Sequence, residues 1–447
     1  MNNLSLTIKK EIEDGFWPGY VHTYPHKRAY RPLTGKYADL RNIWNEKITY
    51  LNLYVHIPFC DKKCSYCNLF STVYQESEKK SLYELYVEKV IEEIDLYSSL
   101  INKDAKIMSL YFGGGTPSVL SAIQLGKIIG KFKEVFPNWD DGVEVCMECA
   151  PETLTKEYLT SLKKIGIKRI SVGIQSFNEN ELNLINRSNS IDNFKQIHEY
   201  AHQIGLATNI DLIYGLPKQS KESALHNVSE VIRMQPETVT IYPLAIRKLT
   251  GLENVNHSDV MSMTEKYALF DDLRTLLENN EYSCQTVVRF VRTNTSTYQQ
   301  QRYEYQGIPT LGVGCGARSY APNVHYCMSY KVKDSLVKAV IDEYMKSNIN
   351  EVKFDGFVFD EDELKRKYVS LTLLDPGINT VDYTEKFGTS VLEDFENEFD
   401  ALFENSLISQ NDDNIILTKK GRKYCDIAVS IFESNRVTEL YKSYIAK

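Results

Sequence analysis

Between residues 50 and 279 the chain alternates, six times over, a short run rich in β-formers with a longer amphipathic stretch, a rhythm that few folds accept. The β-like runs are YLNLYVHI (50–57), IMSLYF (107–112), VEVCMEC (143–149), RISVGI (169–174), TNIDLIYG (208–215) and TVTIYPL (238–244). Helical patterns follow at 81–100, 121–136, 155–165, 193–204, 221–234 and 264–279. In the first of these, Leu82, Leu85, Val90, Ile91, Ile94 and Leu96 recur near a helical period and are expected to face the core. A strand, a helix and a further strand build parallel sheet, because the crossover returns the chain in the same direction. Six such units predict an α/β fold with a closed or partial (β/α)6 barrel of TIM-like type, whose chemistry sits at the C-terminal ends of the strands. The unusual residues fall there: Cys60 follows the first strand and Gly113 the second.

The flanks differ in character. Residues 1–48 carry Trp17, Tyr20, Tyr24, Tyr30 and Trp44, a poor composition for a disordered tail, so an ordered N-terminal arm is expected. The barrel and an extension that closes it are expected over 49–350. Residues 351–447 are expected to form a small C-terminal α+β domain of winged-helix type, since helical patterns there lead to the hairpin signal ISQNDDNIILT. That segment mixes acidic and basic residues without a one-sided basic face, which favours a structural or lid role. Over the whole chain 52 Lys and Arg face 60 Asp and Glu, for a net charge of −8, which argues against a nucleic-acid partner. No signal-peptide core stands at the N-terminus, and no apolar run approaches the ~20 residues of a membrane span. A cytoplasmic protein without a membrane partner is therefore expected. Nine cysteines in such a chain read as reduced thiols and ligands.

Three of those cysteines stand together in YVHIPFCDKKCSYCNLF (54–70) as Cys60, Cys64 and Cys67. Structural zinc closes its shell with four ligands, commonly from paired knuckles, whereas this triplet is uneven. A cubane iron–sulfur cluster takes one outside ligand per iron, usually a thiolate, so three cysteines leave one iron open to a substrate or cofactor. His56 is expected to orient the loop or pack rather than to ligate, and Asp61 to be a solvated loop charge.

The C-x3-C-x2-C spacing after a first barrel strand resembles the radical S-adenosylmethionine (SAM) superfamily. The blocks YVHIPFC, YFGGGTPS, MECAPETL, RISVGIQSFNENELNLINR, NIDLIYGLPKQS and LGVGCGARSY stand in the order seen in the oxygen-independent coproporphyrinogen III oxidase family, a resemblance spanning roughly residues 50 to 435. The C-terminal segment resembles that family's accessory domain. The resemblance implies that Cys60, Cys64 and Cys67 hold a [4Fe–4S] cluster whose open iron chelates the amino and carboxylate groups of SAM. It implies that Tyr54, Gly114 and Glu148 contact that SAM, with GGGTP (113–117) letting the backbone approach closely. Gly115, Thr116, Gln175, Arg187 and Asp211 fall where the family binds a second SAM, and Tyr66 is assigned to the cofactor site with them. Cys146 and Cys149, which flank Glu148, are expected to be core.

Two departures shape the expected reaction. Leu69 stands where coproporphyrinogen oxidases carry a further cysteine, and Gln300 and Gln301 replace the His-Asn pair of the related heme chaperones. The expectation therefore turns to a third branch, which resembles class C radical SAM methyltransferases and cyclopropanases. There a 5′-deoxyadenosyl radical from one SAM takes hydrogen from the methyl of a second, and the methylene radical adds to an sp2 carbon of a small organic substrate. The alternative is coproporphyrinogen-type oxidative decarboxylation, or a heme-carrying chaperone. The enzymatic readings imply a reducing partner such as a flavodoxin or ferredoxin. A DNA- or tRNA-modifying enzyme is disfavoured by the acidic balance, and a cluster carrier without turnover by Glu148, Gln175, Arg187 and Asp211. Among the 30 tyrosines, STYQQQRYEYQG (296–307) clusters Tyr298, Tyr303 and Tyr305, expected to pack or to line an aromatic pocket or quench stray radical. Arg318 is a further substrate-site candidate in the block that closes over the cofactor, where Cys315 reads as a small residue of a glycine turn.

Overall fold

A computed structural model describes residues 3–444 apart from Asn189, Val287, Ser296 and Thr297. The first two residues of the 296–307 stretch therefore lie outside the described residues. All six expected strands form, as β1 (Tyr50–Ile57), β2 (Lys106–Gly114), β3 (Trp139–Cys149), β4 (Arg169–Gln175), β5 (Ala207–Tyr214) and β6 (Thr238–Pro243). The helices between and after them are α1 (Glu76–Ser98), α2 (Ala122–Val135), α3 (Lys156–Lys164), α4 (Ile191–Gln203), α5 (Lys221–Met234) and α6 (Met263–Glu278). Polar caps start the helices where the strand-to-helix loops end: Ser121, Thr155, Ser190, Ser220 and Ser262 each accept a backbone N–H of the first turn.

Strands β1 to β6 pair parallel in chain order. Thr310–Val313 adds another parallel strand on the free side of β1. Antiparallel strands extend both ends into a 13-stranded sheet that runs from Arg31–Pro32, beside Asp355–Val358, to Tyr282–Cys284. Among the described residues no pairing joins those two ends, so the barrel is partial.

The outer face of the sheet is apolar and packs on the helices, while the inner face carries polar side chains that satisfy one another across strands. Ser109 donates to Asn52 at 2.8 Å, Thr240 to Asn209 at 3.0 Å, and Asn209 to Asp211 at 2.7 Å. Such a wall leaves its upper rungs available to a ligand.

Helix α1 corrects one expectation. Its buried face is led by Tyr83, Tyr86, Val87, Val90, Ile94 and Tyr97, while Leu85 is 54% exposed. The tyrosine rings fill the core, and Tyr86 also satisfies its hydroxyl there, donating to the His56 carbonyl at 2.8 Å.

A second apolar cluster joins the N-terminal arm to the C-terminal segment through Ile8, Tyr24 and Tyr30 against Leu371, Phe399 and Ile427. Trp17 and the Val21 amide both donate to the Asp426 carboxylate, at 2.8 and 2.9 Å. The arm is thus ordered, as its aromatic content predicts. The expected C-terminal hairpin forms as Ile408–Asn411 and Asn414–Leu417, with Ile378–Asn379 completing a three-stranded sheet. Among the described residues no helix is long and apolar enough to cross a membrane.

Buried Glu93 on α1 ties this scaffold to the site. Its carboxylate accepts the Gly314 N–H at 2.7 Å and the Tyr344 hydroxyl at 2.8 Å, while Tyr86 accepts the neighbouring Cys315 N–H at 2.8 Å. Burial pushes the Glu93 pKa up to about 7 from an ordinary 4.5. A raised carboxyl pKa means that the folded chain holds the proton more tightly than the unfolded chain. The stability from neutral Glu93 is therefore complete below pH 4.5 and lost as pH rises through about 7. The Glu93→Gln variant is expected to remove this part of the pH dependence, gaining on the order of 2 kcal/mol relative to the parent at pH 8 over the difference at pH 5. Calorimetric melting at the two pH values checks it.

Candidate active site

The loop that leaves β1 is held at many points. Cys60 N–H bonds the Thr72 carbonyl at 3.0 Å, Ser65 N–H the Ile185 carbonyl at 3.0 Å, and Leu252 N–H the Ser65 carbonyl at 2.9 Å. Asn186 donates to the Lys63 carbonyl at 2.9 Å, and Lys63 to the Ser71 carbonyl at 2.8 Å. His56 is buried with both ring nitrogens engaged: Nε2 lies 2.8 Å from the Phe70 carbonyl and Nδ1 3.1 Å from the Tyr54 hydroxyl. A carbonyl only accepts, so Nε2 carries the proton and Nδ1 accepts from Tyr54. Burial pushes the His56 pKa down to about 4. His56 orients the loop, as expected of it. Asp61 is an exposed loop charge, as expected, and it also pairs with Lys79 of α1 at 2.5 Å.

All nine cysteines are unpaired. Cys60 is buried, and Cys64 and Cys67 are partly exposed. Burial pushes the Cys60 thiol up to about 12 and raises Cys67, and the neighbouring thiols add to both shifts. Sulfurs in such a place become stable thiolates only with added positive charge, which a metal supplies. Donors already wait on them: the Thr116 hydroxyl lies 3.5 Å from Cys60 Sγ and the Arg187 guanidinium 3.3 Å from Cys64 Sγ. Gly115 forms the floor, because a Cβ there would lie 2.6 Å from the Phe59 carbonyl oxygen and 3.0 Å from Cys60 Sγ. Among the described residues no three His, Cys, Asp or Glu side chains converge as the ligands of one ion. A soft three-thiolate loop with hydrogen-bond donors to sulfur suits an iron–sulfur cluster instead. Replacing Gly115 with alanine is expected to displace the loop and cut iron retained after reconstitution by more than half, measured as iron per chain beside the far-UV spectrum.

Beside this loop the strand ends gather the other expected residues. Tyr111 donates to Glu148 at 3.0 Å and the Gly114 N–H donates to the other carboxylate oxygen at 3.1 Å. The Tyr54 and Tyr111 rings stack at 6.2 Å. Burial, with repulsion from Asp211, pushes the Glu148 pKa up to about 7. Gln175 sits at φ +69°, a conformation that costs a non-glycine residue, where the register of β4 with β5 slips. Its amide folds back over Gly173, at which a Cβ would meet it at 2.5 Å. Arg187 donates to the Gly173 carbonyl at 2.7 Å, and its buried Nε has no partner. Asp211, the registered neighbour of Gly173, accepts from Ser171 at 3.0 Å. The structure therefore brings Gln175, Arg187 and Asp211 around one glycine, next to Cys64. Tyr66 packs on the apolar cluster of Leu182 and Leu252 that backs the loop.

The three candidate tyrosines do not stay together. Tyr298 faces the site, its ring 5.4 Å from Tyr111 and under the Arg289 guanidinium at 4.6 Å. Tyr303 and Tyr305 lie on the short helix Gln300–Tyr305, where residues two apart point to different sides. Tyr305 is buried in the second apolar cluster and accepts from Gln301 at 2.9 Å. Tyr303 lies near Lys106, at the opposite end of β2 from the site. The expected three-tyrosine mouth is thus reduced to Tyr298. Cys315, Cys146 and Cys149 are buried, as expected.

What the sequence reading missed is a set of cations brought from distant segments. Lys27 of the arm lies over the Tyr330 ring at 2.9 Å, with Arg318 5.5 Å from the same ring. Arg247 stacks on Trp17 at 5.3 Å, and His22 on Tyr20 at 5.3 Å. Burial and then Arg318 push Lys27 down to about 6, and burial with Arg289 and Arg318 pushes His22 down to about 4. Lys27 and Arg318 thus meet at Tyr330, while Arg247 and Arg289 stand over Trp17 and Tyr298, and all four side chains are partly exposed. Among the described residues Lys27, Arg247, Arg289 and Arg318 have no carboxylate within ion-pair reach. The local signal was the His-Lys-Arg run in YPHKRAYRPL, but nothing in the sequence joins residue 27 to residue 318.

Comparison with known proteins agrees with this geometry. The family model of the radical SAM superfamily matches residues 54–230. The oxygen-independent coproporphyrinogen III oxidase of Helicobacter pylori (strain ATCC 700392 / 26695) is 26% identical over 389 residues, covering 83% of each chain. The heme chaperone HemW of Buchnera aphidicola subsp. Schizaphis graminum is 25% identical, covering 86% of this chain and 99% of its own. Among solved structures, coproporphyrinogen III oxidase (HemN) from Escherichia coli superposes with a TM-score of 0.79 at 23% identity, over 93% of this chain and 97% of that one, a likeness of fold. With its cysteine triplet, its glycine floor and its parallel sheet, the chain carries a radical SAM domain, which uses a [4Fe–4S] cluster and SAM, and over most of its length it is similar to oxygen-independent coproporphyrinogen III oxidases and heme chaperones.

Proposed function

We propose that this radical SAM enzyme acts on a carboxylate-bearing tetrapyrrole and carries out oxidative decarboxylation or a closely related oxidation. The observation that carries the reading is the set of Lys27, Arg247, Arg289 and Arg318, cations set among Tyr330, Trp17 and Tyr298. Half-buried cations without counter-charges are costly, as the lowering of Lys27 to about 6 reflects, and an anionic ligand removes that cost. Aromatic rings between them suit a flat, multiply charged substrate. The names of the relatives point to the same chemistry.

Cys60, Cys64 and Cys67 would hold the cluster, which together with SAM supplies a 5′-deoxyadenosyl radical for hydrogen abstraction. Glu148 and the Gly114 region receive the amino end of SAM: a buried carboxylate with pKa near 7 becomes a stable anion once an ammonium group reaches it. Arg289 and Arg318 hold substrate carboxylates on the side of Tyr298 and Tyr54, and the aromatic arm excludes water above them.

A second reading has its own support. Gln175, Arg187 with its unpartnered Nε, and Asp211 converge at Gly173, which suits a second SAM; class C methyl transfer needs that molecule, and the resemblance gives it to coproporphyrinogen oxidases too, so the product decides between them. One anaerobic experiment separates the two. Reconstituted protein, SAM, a reductant and coproporphyrinogen III are incubated, and deoxyadenosine, S-adenosylhomocysteine and porphyrinogen products are followed by mass spectrometry. Deoxyadenosine with a decarboxylated product supports the first reading; S-adenosylhomocysteine with a methylated product supports the second. Deoxyadenosine that is indifferent to the porphyrinogen would sink the tetrapyrrole proposal.

A further inference from the structure

A second pair of charged side chains stands one rung below Arg318 on the inner wall. Residues opposite each other in a sheet share a face, and so do residues two apart on one strand. Thr310 registers with Asn52 on one side and with Tyr320 on the other, and Tyr320 registers with His325. These four form one inner row, since Asn52 lies on the polar face with Ser109. Tyr54 and Arg318, each two residues away along its own strand, stand on the same face one rung nearer the cysteine loop.

Two other segments reach the lower row. Glu304 accepts from the Thr310 hydroxyl at 3.0 Å and from the Gln300 amide at 3.4 Å, both on Oε1. Lys367, on the C-terminal helix Glu361–Leu374, donates to His325 Nε2 at 2.9 Å. Tyr320 stands between these two anchors, its ring 4.5 Å from that of His325. Glu304, Lys367, Tyr320 and Arg318 are all partly exposed. Among the described residues Glu304 and Lys367 do not pair with each other, and Glu304 Oε2 accepts no hydrogen bond. Burial pushes Glu304 up to about 7, opposed by Thr310, Gln300, Lys367 and Arg318. Burial and then Lys386 push Lys367 down to about 7, opposed by Glu304. Burial and then Glu304 also raise the Tyr298 hydroxyl, so the carboxyl lies near the ring that faces Tyr111.

We propose that Glu304 accepts the pyrrole N–H groups of the substrate through its free oxygen, so that the site selects a metal-free tetrapyrrole of the porphyrinogen type over a metal complex such as heme. A porphyrinogen carries N–H donors at its centre and carboxylates at its rim, whereas in a metal complex the same nitrogens bind the metal and donate nothing. An ionised carboxylate only accepts, and Lys367 and Arg318 favour that form. A site built to take such donors rejects an analogue that lacks them, because its own acceptor is then left unpaired. Arg318, one rung nearer the cysteine loop, takes a rim carboxylate while Glu304 takes the centre. The inference rests on the tetrapyrrole reading and adds to it the state of the ring's centre.

The test is anaerobic calorimetry on the full-length reconstituted protein without SAM. It compares coproporphyrinogen III with nickel(II) coproporphyrin III, which has the same rim carboxylates and no N–H. The parent is expected to bind coproporphyrinogen III at least about tenfold more tightly. Glu304→Gln keeps the shape and an oxygen toward Thr310 but loses the charge. It is expected to weaken coproporphyrinogen III about tenfold and to leave the nickel complex within about twofold. Free-base coproporphyrin III, as flat as the nickel complex but with N–H groups, should rank between the two and lose its advantage over the nickel complex in Glu304→Gln. Arg318→Gln should weaken all three ligands alike. A parent without preference for the N–H ligands, or a preference that survives Glu304→Gln, would overturn the inference; if Arg318→Gln still weakens every ligand, the tetrapyrrole reading stands without it. If none of the three binds the parent, that reading falls and this inference falls with it.

Discussion

Cys64→Ala is expected to abolish 5′-deoxyadenosine formation and to leave little of the iron that the parent retains after anaerobic reconstitution. The effect is all-or-none for a geometric reason. Cys60, Cys64 and Cys67 are the whole thiolate supply of the loop, and His56, the neighbouring candidate, has both ring nitrogens committed to Phe70 and Tyr54. Alanine would also remove the acceptor of one Arg187 nitrogen, which lies 3.3 Å from Cys64 Sγ, while the other keeps the Gly173 carbonyl. Iron analysis and the spectrum of the reduced cluster test the coordination, and mass spectrometry tests turnover. A variant with parental iron and deoxyadenosine would mean that the cysteine triplet is not the cluster site.

Arg318→Gln is expected to act oppositely on stability and on function. Arg318 is buried among Lys27, Tyr320 and Tyr330, it depresses Lys27, and no carboxylate answers it among the described residues. Below about pH 6, where Lys27 carries its proton without substrate, removing Arg318 relieves a like-charge repulsion, so there the substrate-free variant should melt a few degrees higher than the parent. With a carboxylate-bearing substrate the same change deletes one side of a buried ion pair, a loss of about 2 kcal/mol or more, which is about 30-fold in KM. Cleavage of SAM without substrate should be little changed, since the cysteines, Glu148 and the glycine floor are intact. An unaltered KM for coproporphyrinogen III would remove Arg318 from substrate recognition.

The legible part of this protein was the part encoded by near neighbours. Each βα unit is a continuous stretch with its own period and cap, and all six strands appear within a few residues of the runs that predicted them. The cysteine loop was likewise local, since a triplet of thiols within eight positions has few uses. Local reading was incomplete in two helices. In α1 five of the six expected positions face the core, Leu85 stands out in solvent, and Tyr83, Tyr86 and Tyr97 complete the buried face. On Gln300–Tyr305, Tyr305 packs, as the blander expectation has it, and reaches Tyr298 only through Gln301 and Arg289, while Tyr303 turns to the other side of the helix.

The parallel α/β architecture, the cysteine triplet proposed to hold the cluster and the glycine turn beneath it were legible in the sequence, because these depend on residue type and short spacing. Tertiary structure alone decided what surrounds them. It brought Lys27 of the arm beside Arg318 and Tyr330, set Arg289 over Tyr298, and gathered Gln175, Arg187 and Asp211 at Gly173. Those juxtapositions join segments separated by tens to hundreds of residues. Burial, moreover, is a property of the folded surroundings, so the depressed Lys27 and the raised Glu148 have no counterpart in the unfolded chain.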